Sequence, residues 1–380
     1  MFKANHFILF FIIKLFFATL CIFIWISPFQ NLNSFFNCSI DSFDSLRYNH
    51  DAYVIATGNG EFFGEVFKNS FSVILGGILY KYFLLHPWII TLFNTLVSTV
   101  STWILYNSLK DIMTNRRVKE IFFLSQFIPT VIIYEAILGK EVFYMAGYKL
   151  IFAISAYLFF SKKGIQWNKI ILLFILVLII SLIRPILLPG IIIAISSYFI
   201  KPNFFIPLVI FCGTLAMLIF FVPDFESLKM INDSTPSSNP LMQYLRTFFI
   251  TDSPIFNIVG GFFRFILYTI YPFPLVFPNI VSYLSLQSPE DKCSSILTMF
   301  DQISFWWQLM IFWLIYKTSK NYFSDYEFNA WKYYFFLSIY LLLFFSFTYT
   351  LIHARYRIFY FIMQFSMIFI FKGKRTKINT

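Results

Sequence analysis

The sequence predicts an all-α protein that crosses a membrane many times, and the composition and the length of the apolar runs are the observations that predict it. Hydrophobic residues make up 59% of the 380 and charged residues only 12%, which is about half the charged fraction of a typical soluble chain. The 55 Phe residues are more than the core of a soluble domain of this size can bury. Composition therefore favours a membrane protein over a soluble one.

About ten apolar runs have a length that suits a hydrocarbon core, which a helix of roughly 20 residues spans. They cover residues 8–28, 88–107, 120–137, 143–161, 170–184, 186–200, 204–222, 302–316, 333–351 and 357–371. The first run is not followed by a small-residue cleavage site, so we expect an uncleaved signal anchor. The chain is predicted to be one membrane domain, 1–380, with large outer loops at 29–70 and 223–300.

The net charge of +11 follows the predicted topology. More than half of the 29 Lys and Arg residues fall in alternate connections, as the positive-inside rule requires. They are Lys3; Lys110, Arg116, Arg117 and Lys119; Lys162, Lys163 and Lys169; Lys201; Lys317, Lys320 and Lys332; and Lys372, Lys374, Arg375 and Lys377. Both termini are therefore predicted to be cytoplasmic, and no nucleic-acid partner is expected.

The predicted outer loops hold two further features. Segment 255–287 is apolar but contains glycines and prolines that a straight helix does not tolerate. We expect broken, interfacial or re-entrant helices there, or a hairpin that crosses twice. Cys38 and Cys293 both fall in outer loops, so a disulfide between them is chemically allowed in an oxidising compartment.

The first outer loop carries the densest group of polar residues, DSFDSLRYNHDAYVIATGNGEFFGE. Asp44, Tyr48 and Ala52 recur every four residues, which places them on one face of a helix. One interpretation is a surface helix that presents a carboxylate to a substrate, with Asp51 and Glu61 as alternatives to Asp44. The other is a solvated amphipathic helix whose acids have no specific role.

Two later outer turns add charged candidates. The turn GKEVFY places Lys140 and Glu141 between two predicted spans, where they either contact a phosphate or divalent ion or are simply solvated at the interface. Arg184 ends the run FILVLIISLIRP, just before a proline that breaks the helix. This arginine either snorkels to the surface or holds an anion.

The last outer turn, HARYRIFYF, gathers His353, Arg355 and Arg357. Positive charge on this side opposes the topological bias, which favours a functional role over mere solvation. Arginine geometry suits the binding of phosphate or pyrophosphate. We therefore expect these three residues to contact such a group.

The order of these motifs resembles the multi-spanning GT-C glycosyltransferases, including the bacterial relatives of protein and lipid mannosyltransferases. It runs DSLRYNHDA, LFNTLVSTVSTWILYNSL, FIPTVIIYEAILGKE, LIRP and finally RYR, over roughly residues 1–200 and the last 50. The resemblance implies that Asp44 is the general base, that Glu141 is the second acidic position, and that Arg355 and Arg357 hold the donor phosphate. The sequence departs from the family because Ser45 stands where many members have a second acid, and because a soluble C-terminal domain is missing.

The resemblance also implies the substrates and the place of the reaction. The donor would be a sugar linked to polyprenyl phosphate and the acceptor a glycan or a lipid, at the outer face of a bacterial inner membrane. A divalent cation, Mg²⁺ or Mn²⁺, would have Glu141 as a ligand if one is used. Surface-polysaccharide polymerases, which join oligosaccharides linked to polyprenyl pyrophosphate, share this size and aromatic-rich composition and are the alternative.

A lipid-linked sugar transporter or flippase is the third candidate function. It requires charged residues near the middle of the membrane and repeat symmetry between the two halves. Lys14 and Lys149 lie inside apolar runs, but the sequence indicates neither partner acids for them nor an internal repeat. The enzyme interpretations therefore rank above it.

Overall fold

Every regular element in the described part of this computed structural model is helical, which confirms the all-α prediction there. The structure describes residues 4–25, 44–58, 71–109, 116–160, 167–183 and part of 303–317. The α-helices of the first five ranges are α1 (Ala4–Trp25), α2 (Asp44–Thr57), α3 (Phe71–Tyr82), α4 (Pro87–Leu109), α5 (Arg116–Leu124), α6 (Pro129–Ala136), α7 (Glu141–Phe160) and α8 (Trp167–Ile183). The loop 223–300, the segment 255–287, Glu61, Cys38 and Cys293 lie outside the described residues.

The chain divides into two compact units. The first comprises Met1–Pro185 and Leu275–Trp307, and the second comprises Ile186–Pro274 and Gln308–Thr380. Helices α1 to α8 all belong to the first unit. In the second unit the structure describes helical residues between 308 and 317.

Helices α1, α4 and α7 pack side by side. The indole Nε1 of Trp88, at the start of α4, donates to Thr19 Oγ1 near the end of α1 at 3.3 Å, so these two helices run antiparallel. Asn94 Nδ2 donates to the Ile137 carbonyl at 3.0 Å, which places the turn between α6 and α7 beside the same end of α4. We call this the turn end of the bundle, defined by Thr19, Trp88 and residues 137–140.

The polarity of α4 and α1 is the reverse of that of a helix on a soluble protein. Helix α4 buries a stripe of hydroxyl and amide side chains, which consists of Thr91, Asn94, Thr95, Ser98, Thr99, Ser101 and Thr102. Helix α1 exposes a face of large apolar side chains, which consists of Ile8, Leu9, Ile12, Ile13, Phe16, Phe17 and Leu20. Polar groups that face the interior and apolar groups that face outward suit a lipid environment.

One described helix, α4, is long and apolar enough to cross a membrane. The apolar stretches His6–Cys21 and Trp167–Ile179, and helix α3, are shorter. Length and composition are the criteria here, and the buried core helix of a soluble protein also meets them.

The structure differs from the sequence prediction in two elements. The predicted single run 120–137 is broken at Ile128, which is extended (φ −60°, ψ 124°) between a 3-10 turn, Ser125–Phe127, and α6. Pro129 follows, and a proline disfavours the helical conformation of the residue before it. Helix α3 was not predicted because its 12 residues span only about 18 Å and contain a glycine pair.

Helices α2 and α3 form an antiparallel pair that packs on the turn end. Their shared apolar cluster includes Ala52, Tyr80, Leu138 and Ile90, so it joins the pair both to the turn and to the start of α4. At Gly76 a Cβ would lie 2.7 Å from Leu138 Cδ2 and 3.0 Å from Ala52 Cβ. Glycine at this position therefore sets how closely α3 approaches α2 and the turn.

Gly76→Ala is expected to destabilise the folded protein by about 1–3 kcal/mol, because the added methyl group would crowd Ala52 Cβ and the buried Leu138 side chain. The measurement is thermal unfolding of the purified protein in detergent. Asn107→Ala, on the exposed face of α4, is the control and should leave the transition unchanged. An unchanged transition for Gly76→Ala as well would contradict the close packing.

Candidate functional site

The turn between α6 and α7 is held in place by side chains of α4. Thr91 Oγ1 donates to the Ala136 carbonyl at 2.7 Å, and Asn94 Nδ2 donates to the next carbonyl, of Ile137, at 3.0 Å. Both donors are buried. Two hydrogen bonds from one rigid helix therefore fix the backbone just ahead of Lys140 and Glu141.

Lys140 lies against α2, the helix that the sequence predicts in the first outer loop. Its ammonium is 5.9 Å from the centre of the Tyr48 ring on α2, within the range of a cation–π contact. Asp51 lies one turn further along α2 and is half-buried, and Asp44 is the first residue of that helix. The structure thus brings together two motifs that are about ninety residues apart in the sequence.

Glu141 begins α7 and is only 7% exposed. Its carboxylate folds back over Gly139, where a Cβ would collide with Oε2. A carboxylate is favoured in the first turn of a helix, because the helix dipole and the free N–H groups carry positive charge there. Glycine at position 139 therefore leaves the space that the Glu141 carboxylate occupies.

Gly139→Ala is expected to displace the Glu141 carboxylate with little loss of stability, because the colliding atom is the free end of a flexible side chain. Any activity that needs Glu141 in place should fall at least tenfold, whereas the midpoint of thermal unfolding should stay close to that of the parent protein. The two measurements are turnover and thermal unfolding of the same preparation. Full activity in Gly139→Ala would show that the position of this carboxylate does not matter.

A buried hydrogen bond joins α2 to α3 at Asn49, the residue after Tyr48. The Tyr80 hydroxyl donates to Asn49 Oδ1, and both residues are buried. Burial raises the pKa of Tyr80, and the hydrogen bond with Asn49 acts in the opposite direction. Tyr80 is therefore a neutral hydroxyl at any physiological pH and holds α3 against α2.

A buried charge cluster lies where α1, α4, α6 and α7 meet. We define it as Lys14, Ser98, Thr102, Glu135 and Lys149. Lys14 Nζ contacts Glu135 Oε1 at 2.6 Å and donates to Ser98 Oγ at 2.9 Å. The Ser98 hydroxyl also donates to Glu135 Oε1. Both members of the ion pair are 0% exposed, so the pair is fully desolvated.

Lys149 is the second cation of this cluster. Its ammonium contacts Thr102 Oγ1 at 2.9 Å and Ser98 Oγ at 3.4 Å, so its direct partners among the described residues are hydroxyl groups. Glu135 Oε2 and Gln126 Nε2 are buried without a hydrogen-bond partner in this part of the chain. Lys149 lies eight residues after Glu141 on α7, about 12 Å along the helix axis.

The sequence prediction that Lys14 has no partner acid is wrong. Glu135 supplies the partner, and it was missed because the two residues are 121 positions apart. The signal that could have found it is Glu135, a carboxylate well inside the predicted span 120–137, since an acid inside a span needs a cation within reach.

The remaining candidates divide by position. Arg184, His353, Arg355 and Arg357 lie outside the described residues, so their binding of an anion or phosphate stays a prediction. Within the described ranges no group of three His, Cys, Asp or Glu residues gathers to hold a metal ion. A divalent ion at Glu141 therefore also stays a prediction.

Comparison of the chain with protein-family models, with curated proteins and with solved structures finds no match. The site at the turn end consists of Tyr48 and Asp51 from α2 and of Lys140 and Glu141 from the turn and α7.

Proposed function

We propose that this chain is a membrane-embedded glycosyltransferase that takes its sugar from a polyprenyl-phosphate-linked donor at the outer face of a bacterial inner membrane. The observation that carries the proposal is the contact between the Lys140 ammonium and the Tyr48 ring. It joins the two acidic motifs of the glycosyltransferase resemblance, the one that begins at Asp44 and the one that contains Glu141, into one site.

The chemistry of sugar transfer matches the groups gathered there. An acceptor hydroxyl must lose a proton as it attacks the sugar carbon, so a positioned carboxylate is needed. Asp44 is the proposed base and Glu141 the second acid. The leaving phosphate gains negative charge, and Lys140 is proposed to stabilise it. The phosphate-binding role that the resemblance implies for Arg355 and Arg357 stays a prediction.

The apolar outer faces of α1 and α4 support a membrane location for this site. A donor with a prenyl chain can keep that chain in lipid while its phosphate and sugar meet the polar turn. The buried polar stripe of α4 and the ion pair between Lys14 and Glu135 agree with such a setting, because charged residues in spans face the helix bundle.

The test is reconstitution of the purified full chain in lipid vesicles with polyprenyl-phosphate-linked hexoses and with candidate acceptors. The proposal expects that polyprenyl phosphate is released and that Asp44→Asn abolishes the release. Asp44→Asn with wild-type turnover would remove Asp44 as the base. Release from pyrophosphate-linked oligosaccharides alone would favour the polymerase.

A transporter of lipid-linked sugars, the third candidate of the sequence analysis, is favoured by one observation, the buried charge cluster. Charged residues at mid-helix positions are what such proteins use to couple or gate movement. The same vesicles distinguish the two functions. Movement of intact donor across the bilayer without cleavage of the sugar–phosphate bond would replace the enzyme proposal with the transporter.

A further inference from the structure

The connection between α3 and α4 exposes a run of large apolar side chains. Tyr82 and Phe83 are each 72% exposed, and Leu84 and Leu85 are about half exposed. Connections in water are normally polar, and four consecutive exposed apolar residues are unfavourable unless something covers them. We call residues 82–85 the apolar tip.

The backbone holds the apolar tip in a defined shape. The N–H groups of Phe83 and Leu84 both donate to the Leu79 carbonyl, at 3.1 and 3.4 Å, and His86 N–H donates to the Leu84 carbonyl at 2.8 Å. His86 Nδ1 in turn accepts from Trp88 N–H at 3.1 Å as α4 begins. Hydrogen bonds therefore close the connection between α3 and α4, and its four apolar side chains remain exposed.

The residues that flank the tip have the chemistry of a membrane interface. The Lys81 ammonium lies 5.9 Å from the centre of the Tyr82 ring, and both residues are exposed. Trp88 is partly exposed and its indole N–H is bonded to Thr19. Lysine, tyrosine and tryptophan are the residues that sit where acyl chains meet headgroups, with the rings in the apolar layer and the polar atoms directed to the headgroups.

The apolar tip is continuous with the outward apolar surface of the bundle. The bond from Trp88 to Thr19 places the start of α4 beside the last turns of α1, whose Phe16, Phe17 and Leu20 are exposed. The outward face of α4 continues the same surface with Leu96 and Val100. The same apolar surroundings can therefore cover the apolar tip, α1 and α4.

We propose that the apolar tip docks into the lipid bilayer, with Phe83, Leu84 and Leu85 among the acyl chains and Lys81 at anionic headgroups. Helix α3 is too short to span a hydrocarbon core, so it lies at the turn end and reaches the lipid through the tip. Gly76 of α3 packs on Leu138, which lies in the turn between α6 and α7. Docking of the apolar tip therefore fixes the depth of that turn relative to the membrane surface. The proposal concerns the position of the turn and holds whether the chain transfers sugars or transports them.

The test is spin labelling of the full chain in vesicles of phosphatidylethanolamine and phosphatidylglycerol. A nitroxide is attached to Leu84→Cys, or to Phe83→Cys as a second reporter, after the four native cysteines are replaced by alanine. The control is Thr57→Cys at the exposed end of α2. Collisions with oxygen, which dissolves in lipid, are compared with collisions with a water-soluble nickel complex.

The proposal expects that oxygen collisions exceed nickel collisions several-fold at positions 83 and 84, and that the order is reversed at position 57. Lys81→Glu should raise the nickel collisions at position 84, because a carboxylate is repelled by anionic headgroups. Frequent nickel collisions at position 84 in the parent chain would overturn the proposal. Rare collisions with both reagents, together with dipolar broadening between nitroxides, would overturn it as well. A second copy of the chain would then cover the tip.

Discussion

Lys14→Met is expected to destabilise the folded protein by about 3–5 kcal/mol, because it leaves the Glu135 carboxylate buried without a counter-ion. The pair is 0% exposed on both sides, so water cannot replace the lost ammonium. Lys149 is close to the same serine but contacts Ser98 and Thr102 rather than the carboxylate. We therefore do not expect it to compensate fully.

The double variant Lys14→Met with Glu135→Gln should recover most of that loss, because the glutamine amide is neutral and can still accept from Ser98. The measurement is thermal or denaturant unfolding of Lys14→Met, of the double variant and of a control variant in the same detergent. Arg116→Ala is the matched control, because it removes an ion pair with Glu120 that is solvent-exposed, and such pairs contribute little. A double variant as unstable as Lys14→Met would show that the loss does not come from an unpaired charge.

Glu141→Gln is expected to lower the rate of the proposed sugar transfer by about 10²-fold, because the negative charge of the second acid of the proposed site is lost. The amide has nearly the same shape, so the packing over Gly139 and the midpoint of thermal unfolding should be retained. Turnover is measured in the reconstituted vesicles as release of polyprenyl phosphate. Glu120→Gln removes a carboxylate from exposed α5 and serves as the control with unchanged turnover.

A Glu141→Gln protein with normal turnover would mean that the acid is structural, a helix-terminal group that helps to begin α7. Loss of turnover together with a large loss of stability would also count against a catalytic role. Retained stability with lost turnover is the result that assigns Glu141 to the reaction. Together with Gly139→Ala, it separates the need for the carboxylate from the need for its position.

The apolar runs were sufficient to predict the long helices. The predicted runs 88–107, 143–161 and 170–184 agree with α4, α7 and α8 to within a few residues, because unbroken apolar sequence without proline has one stable form in lipid. Helix α3 was missed because its length suits neither a span nor a polar loop. The break at Ile128 depends on Pro129, whose effect is local and was visible in the sequence.

The site was predictable in part. The predicted topology placed the first outer loop and the Lys140–Glu141 turn on the same side of the membrane, and the contact between Lys140 and Tyr48 agrees with this. The close fit of Glu141 over Gly139 and the bonds from Thr91 and Asn94 depend on how α4 lies against the turn. Such contacts follow from packing and not from any local pattern, as does the pairing of Lys14 with Glu135.

The most direct test of an outer-face site that binds a lipid-linked donor uses Lys140→Cys in a chain whose native cysteines have been replaced. Intact spheroplasts that carry this variant are treated with a maleimide that cannot cross the membrane. Lys169→Cys, at the start of α8 on the predicted cytoplasmic side, is the control. We expect that position 140 is labelled from outside and protected by added polyprenyl phosphate, whereas position 169 is labelled only after the membrane is opened. Labelling of position 140 only after opening, or labelling that polyprenyl phosphate leaves unchanged, would contradict an outer-face site that binds the lipid-linked donor.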